Sequence, residues 1–141
     1  MNQPVRIVFP VSEISLKIAD EIFDVIARIA TPDAKKRHHI LTVLSEAFNN
    51  AYIHGDKVLS DGGIEFEAHF DENKFYASII NRGKGFADSK MKGYSVDTDI
   101  AESGRGLKII KELSDRVDFK QVDGNRFGIF LEFNLSSESG Y

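Results

Sequence analysis

The chain has 141 residues, 42% hydrophobic and 28% charged, with a formal net charge of −4. This is the composition of a globular protein, about one domain in size, and it excludes collagen-like or disordered character. With no cysteine there are no disulfides or thiolate metal sites, in keeping with a cytoplasmic location. An acidic chain offers no general phosphate-neutralising surface, so no direct nucleic-acid partner is expected. No apolar run is long enough to cross a bilayer, and MNQPVRIVFPVSE lacks the pattern of a signal peptide, so no membrane partner is expected either.

Val5, Ile7 and Phe9 alternate with Arg6 and Val8, which predicts a short strand ended by Pro10. Ser12 stands as an N-cap and Glu13 lies in the first turn, so 13–30 reads as an amphipathic helix carrying Ile14, Ile18, Ile22, Val25, Ile26 and Ile29. Thr31 as cap, Pro32 in the first turn and Asp33 beside it open a second helix. Its apolar face is Ile40, Leu41, Leu44, Ala47, Phe48 and Ala51, and it runs to about His54, where Gly55 stops it. Period-two alternation over 64–70 predicts a strand with one wet face, and Asp71 to Lys74 is turn chemistry. Phe75 to Ile80 is the return strand of that hairpin. From Asn81 to Ser103 no period is visible, which predicts a long irregular loop of the kind that usually carries function. A helix follows from Gly106 to about Leu113, then strands 116–122 and 126–134 around Asp123-Gly124-Asn125. Residues 136–141 form a polar tail, leaving one domain over 1–135. The expected fold is α/β (α+β): a two-layer sandwich, with a mixed, mainly antiparallel sheet covered on one face by about three helices.

Three clusters hold residues able to do chemistry. Glu46, Asn50 and His54 are four apart and share one stripe of the second helix, away from its apolar face. Such a stripe is either a solvated polar face or a pair that holds a water or hydrated cation; one Asn carbonyl suits magnesium, which keeps waters and phosphate oxygens. Asn81-Arg82-Gly83-Lys84-Gly85-Phe86 follows a buried strand. Two glycines one residue apart make a plain turn or a close backbone approach to a ligand. Ser103-Gly104-Arg105-Gly106-Leu107 opens a helix, with Lys108 adding a second cation. Free N–H groups and the dipole at a helix start favour an anion, and basic residues there are consistent either with an anionic partner or with simple exposure.

In this order, E-x-x-x-N on a helix, strand-NRGKGF, a long loop and GRG at a helix start resemble the Bergerat-type ATP-binding fold of histidine kinases, gyrase and certain chaperones. Within it, SEAFNNAYIHG resembles the motif of the small anti-sigma regulatory factors that act as serine/threonine kinases. The resemblance implies ATP and Mg2+ as cofactors, with Glu46 as general base and Asn50 as magnesium ligand. It sets Gly83 and Gly85 by the adenine, and Gly104, Arg105, Gly106 and Leu107 at the phosphates, with residues 87–103 as a lid over the ATP. It implies as partners a STAS-domain antagonist to be phosphorylated and a sigma factor to be sequestered, and a homodimer formed through the sheet.

Two positions depart from the family's pattern. Its first glycine box begins with an aspartate that accepts the adenine amino proton, and here that position is Asn81. An amide carbonyl still accepts, without the charge-assisted part, on the order of 1 kcal/mol. The family's Gly-Thr pair in the last hairpin is replaced by Gly124-Asn125-Arg126. These departures keep open an alternative from another class: a partner-sequestering binding module that transfers no phosphate. His38-His39, within Lys35-Lys36-Arg37, lacks the acidic neighbour of a phospho-accepting histidine and reads as a solvated helix start.

Overall fold

The computed structural model describes residues 3–54, 63–82 and 103–135. Its elements are β1 (Val5–Phe9), α1 (Glu13–Ala30), α2 (Ala34–His54), β2 (Ile64–Asp71), β3 (Lys74–Arg82), α3 (Ser103–Leu113), β4 (Arg116–Asp123) and β5 (Arg126–Asn134). The strands form one sheet in the order β1-β2-β3-β5-β4. Every neighbouring pair is antiparallel, so the described sheet has no parallel component. The three helices cover one face, as expected.

The pleat decides which side chains meet the helices. In register across the sheet lie Ile7, Phe66, Ile79, Ile129 and Phe119, and one step along lie Phe9, Ile64, Asn81, Phe127 and Gln121. Phe23 of α1 is fully buried, edge-on to Phe48 of α2 and tilted against Phe66 of β2, which ties the two helices to the sheet. The other face is wet: Arg6 pairs with Glu65 at 3.1 Å, and Lys74 with Glu132 at 2.7 Å.

Four expectations are corrected. α1 buries Ser15, Ala19, Phe23 and Ala27, while Ile14, Ile18, Val25 and Ile29 stay exposed. Small residues let α1 approach α2 and the sheet closely, and Phe23 fills the remaining space. The cap of α2 is Asp33, not Thr31: Asp33 Oδ2 accepts the Lys36 N–H at 2.9 Å, and Thr31 Oγ1 instead accepts the Asp33 N–H at 3.1 Å. β3 runs on to Arg82, because Asn81 and Arg82 pair with Phe127 and Arg126 of β5. α3 starts at Ser103 rather than Gly106, so Gly104, Arg105 and Gly106 all lie in its opening residues.

Gly63 enters β2 with φ +72°, and a Cβ there would collide with the carbonyl of Phe9, so β2 begins its pairing with β1 beside a position only glycine suits. At the other edge, Lys36 Nζ reaches Asp115 Oδ2 at 3.2 Å, and the same oxygen accepts the Asn134 N–H at 2.7 Å. This carboxylate joins the start of α2, the turn after α3 and the end of β5.

Truncating Phe23 to alanine should cost about 3–5 kcal/mol, the range for emptying an aromatic site in a core. Urea denaturation of the variant measures it; a loss below 1 kcal/mol would show that α1 is not seated through Phe23.

Candidate functional site

Glu46 and Asn50 stand one turn apart on α2. Asn50 is buried, 6% exposed, among residues that are otherwise core: Ala47, Phe48 and Ala51. A buried carboxamide needs partners for both ends, yet its Nδ2 has none among the described residues. Amide nitrogen and oxygen exchange places by a half-turn of the side chain, so this spot accepts a donor or an acceptor from outside the chain.

The opening turn of α3 packs onto that polar stripe. A Cβ at Gly106 would lie 2.6 Å from Glu46 Oε1 and 3.6 Å from Asn50 Nδ2. Glycine here leaves room for the Glu46 carboxylate where the two helices approach. The carboxylate of Glu46 consequently sits against the N-terminal turn of α3, whose free N–H groups and dipole attract negative charge. That turn contains no acidic residue of its own, so its positive end faces the Glu46 carboxylate. Leu107 and Ile110 are buried and lock α3 in this position. The structure thus brings Gly106 into one place with Glu46 and Asn50, 60 and 56 residues earlier in the chain.

Asn81 ends the helix-facing row of β3 and is buried, with Ile64 and Phe127 as its cross-strand neighbours. Its Nδ2 donates to the Arg82 carbonyl at 2.9 Å. That bond fixes the carboxamide's orientation and leaves Oδ1 as the acceptor. An aspartate could not make it without a proton, since a carboxylate oxygen and the carbonyl would repel. The asparagine is thus built into this chain's strand end and is more than a lost charge. Gln121, which the motifs do not reveal, occupies the same side of the sheet beyond Phe127, and its Nε2 donates to the carbonyls of Asp123 and Arg126 at 2.9 and 3.0 Å. The only signal for it in the sequence is a polar residue at an inward position of a strand.

Gly104 and Arg105 lie on the α3 backbone, and His54 ends α2. Gly83, Gly85 and the loop 87–102 lie outside the described residues. His39, at the solvated start of α2, has its pKa lowered by burial and by Lys36, Lys35 and His38, with Asp115 acting the other way.

Gly106→Ala should leave folding within about 1 kcal/mol, because the atom it strikes is the mobile end of a glutamate, as for most changes that spare the core. It should nonetheless displace Glu46 and shift the Asn50 side-chain amide signal in a 1H–15N spectrum. An unmoved amide signal would mean that α3 does not rest on the stripe.

Residues 9–128 match the family described as the histidine kinase-like ATPase domain. The chain is 32% identical over 110 residues to an anti-sigma F factor of Halalkalibacterium halodurans, covering 74% of each chain. It is 28% identical over 111 residues to that of Clostridium beijerinckii, covering 75% of this chain and 78% of the relative. In fold it is similar to a chain in the crystal structure of the SiaB-SiaC complex from Pseudomonas aeruginosa, with a TM-score of 0.61 at 11% identity, over 92% of this chain and 88% of that one. With a match that takes in every element from α1 to β4 whole, and with them Glu46, Asn50, Asn81 and Gly106, the chain belongs to the histidine kinase-like ATPase family.

Proposed function

We propose that this protein is an anti-sigma-type regulatory serine/threonine kinase, which binds ATP with Mg2+ and phosphorylates a STAS-domain antagonist while sequestering a sigma factor. The family and the anti-sigma F factor relatives support the class. The observation that carries the site is the partnerless Asn50 Nδ2, buried where Glu46 meets the turn of α3 at Gly106. A buried orphan amide beside a carboxylate and a helix N-terminus fits a phosphate-bound cation better than it fits a finished core.

In this reading, Asn50 would hold a magnesium ion through its carboxamide oxygen, and the ion would supply charge neutralisation for the phosphates. Gly104 and Gly106 offer backbone N–H groups to the phosphate oxygens, with Arg105 as a further cation and Leu107 anchoring the turn. Asn81 presents Oδ1 to the adenine amino group, near Gly83 and Gly85. Glu46 orients the serine or threonine hydroxyl of the antagonist and takes its proton as oxygen bonds to the γ-phosphorus and the bond to ADP breaks. The glycine at 106 lets Glu46 stand close to the phosphate-binding turn. The protein acts in the cytoplasm as a homodimer, without direct contact to nucleic acid or membrane.

One observation favours a second reading, a module that sequesters its partner without phosphotransfer. Asn81 spends its donor on the Arg82 carbonyl and carries no charge to offer adenine.

Glu46→Gln keeps shape and hydrogen bonding but removes the base. It should hold ATP affinity within a few-fold and lower transfer of labelled phosphate to a STAS-domain protein by about 10²–10⁴-fold. Equal transfer by both proteins would mean that Glu46 is not the base. No transfer by the unmodified protein, with tight partner binding, would establish the second reading.

A further inference from the structure

The described sheet ends on two edge strands, β1 and β4, and they are unlike. Along β4, Arg116, Asp118 and Lys120 set charge at alternate positions, a common guard against unwanted pairing. β1 reads Val5-Arg6-Ile7-Val8-Phe9, and its one charge is tied down, with Arg6 holding Glu65 at 3.1 Å and Glu67 at 3.6 Å. Pairing with β2 uses one side of β1 only. Alternate residues of β1 therefore turn their N–H and C=O groups outward, and among the described residues nothing bonds to them.

Beside that edge lies a 550 Å³ groove, a volume in the range of cavities that bury a ligand. Val5, Ile7 and Phe70 line it from the sheet, and Ile22, Val25 and Ile29 from α1. Five strands leave this surface uncovered: Val5, Val25 and Ile29 are 55%, 45% and 69% exposed. Glu21 is the one charged residue of the lining, and it has no ion-pair partner among the described residues.

The backbone decides what fills such a place. A small apolar molecule or a helix would cover the groove but leave the outward groups of β1 to water. An extended chain meets both demands, since it bonds to the edge and sends every second side chain to the helix side. The dimensions agree. From Glu21 to Ile29 the lining of α1 runs about 12 Å along the helix axis. Three alternate positions of a strand span about 13 Å. Two of them lie on the apolar lining and the third reaches Glu21, whose charge calls for a cation. Pro4 and Pro10 bracket β1 and cannot donate to a ladder, so the added segment pairs over about five residues.

We propose that the outer edge of β1 binds an extended segment of a partner protein as a further strand of the sheet. Large aliphatic residues at two alternate positions of that segment enter the groove beside α1, and a lysine or arginine at the next alternate position pairs with Glu21. The inference rests on α1 and β1, and holds whether or not the junction of α2 and α3 binds nucleotide.

A fluorescein-labelled peptide tests it by fluorescence anisotropy with the full chain. Its alternate positions are lysine, leucine, leucine and lysine, with threonine between them, so either strand direction offers a cation to Glu21. The peptide should bind saturably and slow amide exchange at alternate residues of β1, with β4 unchanged. A probe methylated on one alternate set of backbone nitrogens should fail to bind, and one methylated on the other set should bind normally, because only one set faces β1. Val25→Gln should raise Kd on the order of tenfold, with thermal melting unchanged because the side chain is half exposed. Glu21→Lys should weaken binding a few-fold and favour a probe with glutamate in place of lysine. No saturable binding would overturn the proposal. So would binding that survives both methylations, which would mark a simple apolar pocket. Sedimentation velocity showing the edge filled by a second copy of the chain, with the probe bound only as that pair dissociates, would overturn it too.

Discussion

A missing side chain sets the geometry of the whole site. A Cβ at position 106 would meet the Glu46 carboxylate at 2.6 Å, so glycine there lets α3 lie on the polar stripe of α2 with that carboxylate undisplaced. That contact brings the N-terminal turn of α3, with its unsatisfied N–H groups, beside one carboxylate and one buried carboxamide. The rest of the fold holds these helices in place. Phe23 and Phe48 seat α1 and α2 on the sheet, Leu107 and Ile110 press α3 into the core, and Lys36–Asp115 ties the far end of α2 to the turn after α3.

The two halves of the site are built differently. The half on α2 and α3 contains an unmet polar demand, since the Asn50 Nδ2 has no partner among the described residues. The end of β3 is self-satisfied on its donor side, where Asn81 bonds the Arg82 carbonyl. A ligand gains most where the protein alone leaves a buried group unpaired, because leaving that group bare costs about 1–3 kcal/mol. In the proposed reading, affinity would be weighted toward the phosphate and metal end, with the base held by a neutral acceptor.

Local signals in the sequence were sufficient for the element order, since Pro10, the Asp33 region, the Asp71 to Lys74 turn and the Asp123-Gly124-Asn125 turn each carry their own chemistry. They also gave the stripe of Glu46 and Asn50, because helical spacing alone places these two together. Where two elements meet, the sequence was silent. The isoleucines of α1 have the spacing of a buried face, yet close packing against α2 selects Ala19, Ala27 and Phe23 instead. Asn81 and Arg82 lack any strand signal, and it is their partners Phe127 and Arg126 on β5 that hold them in β3. The contact of Gly106 with Glu46 spans 60 residues and leaves no periodic trace; only the order of motifs within a known family hinted that the two would meet.

The central claim is that the Glu46–Asn50–Gly106 junction receives the phosphates of a magnesium-bound nucleotide. Calorimetric titration of the unmodified protein with ATP, in the presence and absence of magnesium, tests it directly, with the Asn50 side-chain amide followed by NMR in parallel. The account predicts binding that depends on magnesium and a shift of the Asn50 amide signal as the site fills. Binding that is indifferent to magnesium and leaves that signal unmoved, or no binding at all, would contradict it.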